Sequence, residues 1–118
     1  MSSLSQKKCV ACEGTVPPAT PEQVEILLQE VPGWALRQAQ DDKGEEYPQI
    51  VREFEFKDFK QALGFVNKVG ELAESEGHHP NIYLHNWNQV KIELYTHTIK
   101  GLHENDFIMA AKISQVLK

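Results

Sequence analysis

Three of the five histidines in this chain, His78, His79 and His97, fall in one stretch bounded by Glu74 and Asp106, with Trp87 between them. Neutral imidazole accepts a proton and imidazolium donates one near pH 7, so clustered histidines suit proton-transfer chemistry. Two carboxylates beside them have the chemistry to orient imidazoles and raise their basicity. Gly77-His78-His79-Pro80 also reads as the end of a helix and the start of a strand. Gly77 is a natural C-cap residue and Pro80 forbids continuation of the helix, which sets two imidazoles at an element boundary.

These residues have bland readings too. His78 can act as a C-terminal helix partner, and His85 and His103 read as structural or solvated. A metal site at His78, His79 and His97 is disfavoured, because adjacent histidines seldom both reach one ion and no His-x-His or His-x-x-x-His pair supports them. Cys9 and Cys12 form a single Cys-x-x-Cys. No second cysteine pair completes a zinc set, and Gly14, Pro17 and Pro18 follow where a redox motif needs a helix.

The elements that must carry the cluster follow from local signals. Residues 1–19 read as an irregular arm and 20–118 as one domain. Thr20-Pro21-Glu22-Gln23 opens a helix, with Thr20 as N-cap and Gln23 completing a capping box. Val24, Leu27, Leu28 and Val31 form its apolar stripe, and Pro32-Gly33 ends it. Trp34 and Leu36 alternate with Ala35 and Arg37 as a first strand. Asp41 to Gly44 supplies turn chemistry, and a second strand runs from about Gln49 to Phe56, its apolar face interrupted by Arg52. Asp58 caps a second helix, with Gln61 at the box position, and its stripe is read as Phe59, Leu63, Val66, Gly70 and Ala73, widened by Ala62, Val69 and Leu72. Glu74 stands one turn before His78, which predicts a carboxylate beside that imidazole. Ile82 and Leu84 mark a third strand, 86–89 a tight turn, and Val90 to about Thr98 a fourth strand. There His97 shares the parity of Lys91, Glu93 and Tyr95, away from the core. Glu104-Asn105-Asp106 opens a last helix with Phe107, Ala110, Ala111, Ser114 and Leu117 on its buried side. The order α-β-β-α-β-β-α predicts an α+β fold, an antiparallel sheet covered on one face.

Composition narrows the function. The 118 residues carry a net charge of -5, and no cluster of Lys or Arg interrupts that acidity, so nucleic-acid binding is not expected. No apolar run approaches the roughly 20 residues of a membrane span, and the N-terminus lacks the apolar centre of a signal peptide. A cytoplasmic protein is expected.

Glu74-x-x-x-His78-His79-Pro80, six residues, Trp87, nine residues, His97, eight residues, Asp106 resembles the signature of the pterin-4a-carbinolamine dehydratase family, in particular its bacterial members. Pro80 to Leu84, Trp87 to Val90, Thr96-His97-Thr98 and Gly101 to Phe107 resemble that family as well, and the likeness covers at least residues 58–117. It implies three helices on a four-stranded antiparallel sheet, a homodimer or homotetramer, and dehydration of 4a-hydroxytetrahydrobiopterin to quinonoid dihydrobiopterin and water. That reaction recycles pterin for aromatic amino-acid hydroxylases and uses no cofactor, the pterin being the substrate. The resemblance implies catalytic roles for His78, His79 and His97. Orienting or substrate-binding roles fall to Glu74, Pro80, Trp87 and Asp106, with Trp87 either walling the pocket or buried structurally. Two other functions stay open: a protein-binding module of the kind that stabilises a transcription-factor dimer, and pterin handling in molybdopterin metabolism.

Overall fold

In a computed structural model, residues 4–7 and 17–117 are described; the Cys9–Cys12 reading lies outside them. The elements are α1 (Pro21–Gln29), β1 (Ala35–Gln40), β2 (Glu46–Glu55), α2 (Phe59–Glu76), β3 (Asn81–His85), β4 (Gln89–Leu94) and α3 (Glu104–Val116). The four strands form one antiparallel sheet in the order β1-β2-β4-β3. This is the α+β order read from the sequence.

Each helix starts where its cap chemistry places it. Thr20 accepts from the Gln23 N–H and the Gln23 side chain accepts from the Thr20 N–H, a complete capping box. Asp58 accepts from the Gln61 N–H at 2.8 Å, but the Gln61 side chain reaches back to the Lys57 N–H, one residue further than a box requires. At α3 the N-cap is His103, whose Nδ1 accepts from the Asn105 N–H.

Registry decides the core. Ile50 faces Leu94, Arg52 faces Ile92 and Phe54 faces Val90 across β2 and β4, and all of these except Arg52 are buried under the helices. Arg52 keeps its place on that face by lying over the Phe54 ring and donating to Ser114 Oγ at 3.0 Å. The sheet's other face carries Glu53, Lys91 and Tyr83 in one row, as strand parity requires.

Three helix and strand details differ from the sequence reading. The buried stripe of α2 is Ala62, Phe65, Val69 and Ala73. Phe59 and Leu63 are half exposed instead, because the helix is rotated to seat Phe65 against Phe54 and Phe56. In α3 the chain from Asn105 to Ala111 is buried on every side, while Leu117 is exposed. The middle of this helix is wedged among α1, α2, β4 and the N-terminal turn at Leu4, so only its ends, at Glu104 and Gln115, are exposed. Leu4 itself is buried in the core, and Ser5 accepts from Gln115 across the same contact. Finally β4 stops at Leu94. Thr96 bridges to Gly101, and His97–Ile99 is a single tight 3-10 turn rather than strand.

Candidate active site

β3 and β4 are antiparallel neighbours with Asn81 opposite Glu93. The residues entering β3 and those leaving β4 therefore share one end of the sheet, which gathers His78 and His79 beside His97. Gly77 turns the chain there, with φ +68 and its N–H bonded to Ala73 O at 2.9 Å. An L-residue in that left-handed conformation would be strained, so the glycine is what frees His78 and His79 to leave the helix in different directions. Gly77, His78, His79, Tyr95, Thr96, His97 and Thr98 line an open cleft of about 240 Å³. Roomier clefts lie beside α1 and beside Arg52, but neither gathers more than one imidazole.

Each imidazole of the cleft has a different partner. His78 Nε2 lies 2.6 Å from Asp106 Oδ1, in a pair where the carboxylate is wholly buried. The other oxygen, Oδ2, accepts from Thr96 Oγ1 at 2.9 Å and from the His103 N–H at 3.0 Å. One carboxylate thus fixes the ring, ties down the β4 exit and caps α3. His79 Nε2 lies 2.6 Å from Glu74 Oε1, a pair largely open to water. A carboxylate only accepts hydrogen bonds, so in both pairs the facing Nε2 carries the proton and Nδ1 is the remaining nitrogen. His97 Nδ1 lies 2.9 Å from the Tyr95 hydroxyl, and the two rings pack at a 47° tilt with centroids 4.3 Å apart.

The expected pairing of Glu74 with His78 is replaced by a pairing with His79. Helical i to i+4 geometry does not survive the left-handed turn at Gly77, which carries His78 inward to Asp106 and leaves His79 outside. Pro80 is half buried and ends the turn. Trp87 is not brought to the cleft. It sits in the β3–β4 turn at the opposite end of the hairpin, about 17 Å away for a five-residue strand, and is 61% exposed, so the buried structural reading does not hold either. Asn86 and Trp87 both have positive φ, at 47° and 57°. His103 serves as a helix cap and His85 lies 3.5 Å from Glu53, both structural roles. Sequence reasoning left Tyr95 out of the site. Its only signal was sharing strand parity with His97.

A second cleft, lined by Gln40, Asp41, Asp42, Tyr47, Tyr95, His97 and Lys100, adjoins the first through Tyr95 and His97. Lys100 donates to Asp41 at 2.6 Å and to Glu45 at 3.3 Å, which pins the β1–β2 turn beside His97. These bonds hold the Asp41 carboxyl below and the Lys100 ammonium above their ordinary values. Burial, then a hydrogen bond with Tyr47, pushes the Tyr95 phenol up to about 12. The charge of Glu93 raises Tyr83. Among the described residues no group of three or more His, Cys, Asp or Glu side chains is placed to hold a metal ion, and no helix is long and apolar enough to cross a membrane.

Comparison with known proteins places the chain. Residues 17–116 match the family model for pterin 4 alpha carbinolamine dehydratase. Among curated relatives, the "Putative pterin-4-alpha-carbinolamine dehydratase" of Methylococcus capsulatus is 47% identical over 97% of this chain and 93% of its own. The protein of the same name in Chlorobaculum tepidum is 45% identical over 99% of this chain and all of its own. A crystal structure described as a transcriptional coactivator/pterin dehydratase from Brucella melitensis superposes with a TM-score of 0.71 at 31% identity, covering 86% of this chain and 99% of that one. A pterin dehydratase-like protein described as a RuBisCO assembly factor in the alpha-carboxysome gives a TM-score of 0.54 at 25% identity, over 70% of this chain and 88% of that one. A small α+β domain with a histidine cleft at one end of its sheet is the class. The chain belongs to the pterin 4 alpha carbinolamine dehydratase family.

Proposed function

We propose that this protein dehydrates 4a-hydroxytetrahydropterins, with 4a-hydroxytetrahydrobiopterin as the model substrate, and so regenerates pterin for aromatic amino-acid hydroxylases. The observation that carries the reading is the convergence of His78, His79 and His97 on one open cleft, each ring held through one nitrogen. Elimination needs a proton delivered to the C4a hydroxyl and a proton removed from N5. The C4a–O bond breaks with its electron pair, water leaves, and the N5 lone pair forms the N5=C4a double bond of the quinonoid dihydropterin. One imidazole gives the first proton and another takes the second, so the set resets by exchange with water and consumes no reductant.

His78 and His79 are assigned the proton transfers, and His97 stabilises the departing hydroxide or serves the opposite C4a stereoisomer. A positioned acid or base of this kind contributes about 10²–10⁴ in rate. Asp106 and Glu74 orient two of the rings from outside the reacting atoms. Dimer or tetramer formation and residence in the cytoplasm belong to the same reading.

A second reading, protein binding, draws on the coactivator and assembly-factor descriptions of the two structural relatives and on the half-exposed Phe59 and Leu63 of α2. The experiment that separates them is dehydration of freshly generated 4a-hydroxytetrahydropterin by wild type and by His78→Ala. Wild type accelerates water loss, His78→Ala loses at least about tenfold, and chelators change neither. A folded wild type that leaves the spontaneous rate unchanged would transfer the argument to protein binding.

A further inference from the structure

The geometry points to Tyr95 as the positioning residue of His97: its hydroxyl donates to Nδ1 and so leaves the proton of the neutral ring on Nε2. This inference rests on the dehydratase reading, which it deepens by giving the third imidazole a defined tautomer.

The three rings differ in what holds them. His78 and His79 face carboxylates, which only accept, whereas His97 faces a phenol, which both donates and accepts. Between a neutral imidazole nitrogen and a phenol, the phenol is the better donor and the nitrogen the better acceptor, so the shared proton belongs to the Tyr95 oxygen. His78 and His79 then keep Nδ1 as their free nitrogen, while His97 keeps an N–H at Nε2. A neutral N–H donor is the form suited to an oxygen that gains negative charge as it leaves C4a. When the ring itself gains a proton, both nitrogens become donors and the same hydroxyl rotates to accept, so no contact is lost in either state.

Tyr95 is well fixed for this task. Its ring packs at a tilt against Tyr47 of β2, with centroids 4.4 Å apart, and against His97 at 4.3 Å, so the phenol is clamped between a strand and the imidazole. Burial keeps the phenol protonated up to about 12, and its single proton goes to the imidazole nitrogen, a stronger acceptor than the Tyr47 oxygen. Tyr95 and His97 also form the wall shared by the two adjoining clefts. A displaced His97 ring would therefore alter both.

The test is Tyr95→Phe, which keeps the ring contacts and removes only the hydroxyl, read by pterin dehydration kinetics and by ¹H–¹⁵N correlation spectra of the histidine side chains. Expected are a loss of about tenfold in kcat with KM within about twofold, an unchanged melting temperature, and a His97 ring that moves from the Nε2–H form to a mixture of tautomers. Tyr47→Phe should give a smaller loss in the same direction, and supplies the comparison if Tyr95→Phe folds poorly. An active wild type with Tyr95→Phe equal to it in kcat and in His97 tautomer would overturn the assignment alone. A wild type without dehydratase activity would overturn the reaction, and the assignment with it.

Discussion

Asp106 holds the His78 ring at 2.6 Å from 28 residues further along the chain, and it does so from the first turn of a buried helix. Its two oxygens serve His78, Thr96 and the His103 N–H together. Ring orientation and helix capping are thus one structural element. No change at this carboxylate can touch one without the other.

Asp106→Asn should therefore lower both stability and turnover. An amide offers one acceptor oxygen where the carboxylate offers two, so at least one buried donor among the three loses its partner, at a cost of about 1–3 kcal/mol. Turnover should fall at least about tenfold as His78 loses its anchor. Glu74→Gln makes the same change in a pair that water already reaches, so its urea midpoint should stay at the wild-type value and its turnover should fall less. Equal losses of turnover in the two variants would contradict the assignment of His78 as the more tightly governed ring.

Stability at high pH should report Tyr95. The phenol sits near 10 in an unfolded chain and at about 12 in the fold, chiefly through burial. Below pH 10 it is protonated in both states and its contribution is fully present. Between 10 and 12 the unfolded chain ionises first, so stability falls as pH rises. Tyr83, raised by Glu93, and Lys100, raised by Asp41 and Glu45, act in the same direction. Urea unfolding of wild type and Tyr95→Phe at pH 9 to 12 should show a shallower decline in the variant, with one late tyrosine missing from its ultraviolet titration. Parallel declines would refute the assignment.

Trp87→Gly should stabilise the protein or leave it unchanged. A left-handed L-residue costs roughly 1–2 kcal/mol, which glycine avoids, although glycine also loses more chain entropy on folding. The exposed Trp87 ring has little burial to lose. Dehydratase turnover should stay within about twofold, because the ring is about 17 Å from the histidine cleft. A large loss of activity with stability intact would mean that Trp87 acts on the cleft of another copy.

Much of the fold was legible because its signals are local. The Thr20 box, the Asp58 cap and the Gly77 stop depend on backbone groups within a few residues, and they stand where the sequence put them. The α2 stripe was misjudged because Phe59 and Phe65 are equally apolar. Which of them is buried depends on Phe54 of β2 and Phe56 just beyond it, which meet Phe65 on the face that α2 covers. Arg52 interrupts a core face in the sequence, and its place there is explained by the Phe54 ring beneath it and by Ser114, 62 residues away.

The sequence by itself determined the helix and strand order, the caps, and a set of histidines and carboxylates at family spacing, since periodicity and hydrogen-bonding chemistry act over one or two turns. Tertiary structure decided which carboxylate holds which imidazole, that Trp87 stands apart, and that the Tyr95 hydroxyl lies against His97 Nδ1. Those relations join residues across a left-handed turn, across strands, or across 28 positions of chain. Packing sets them in three dimensions, and no local rule carries that information.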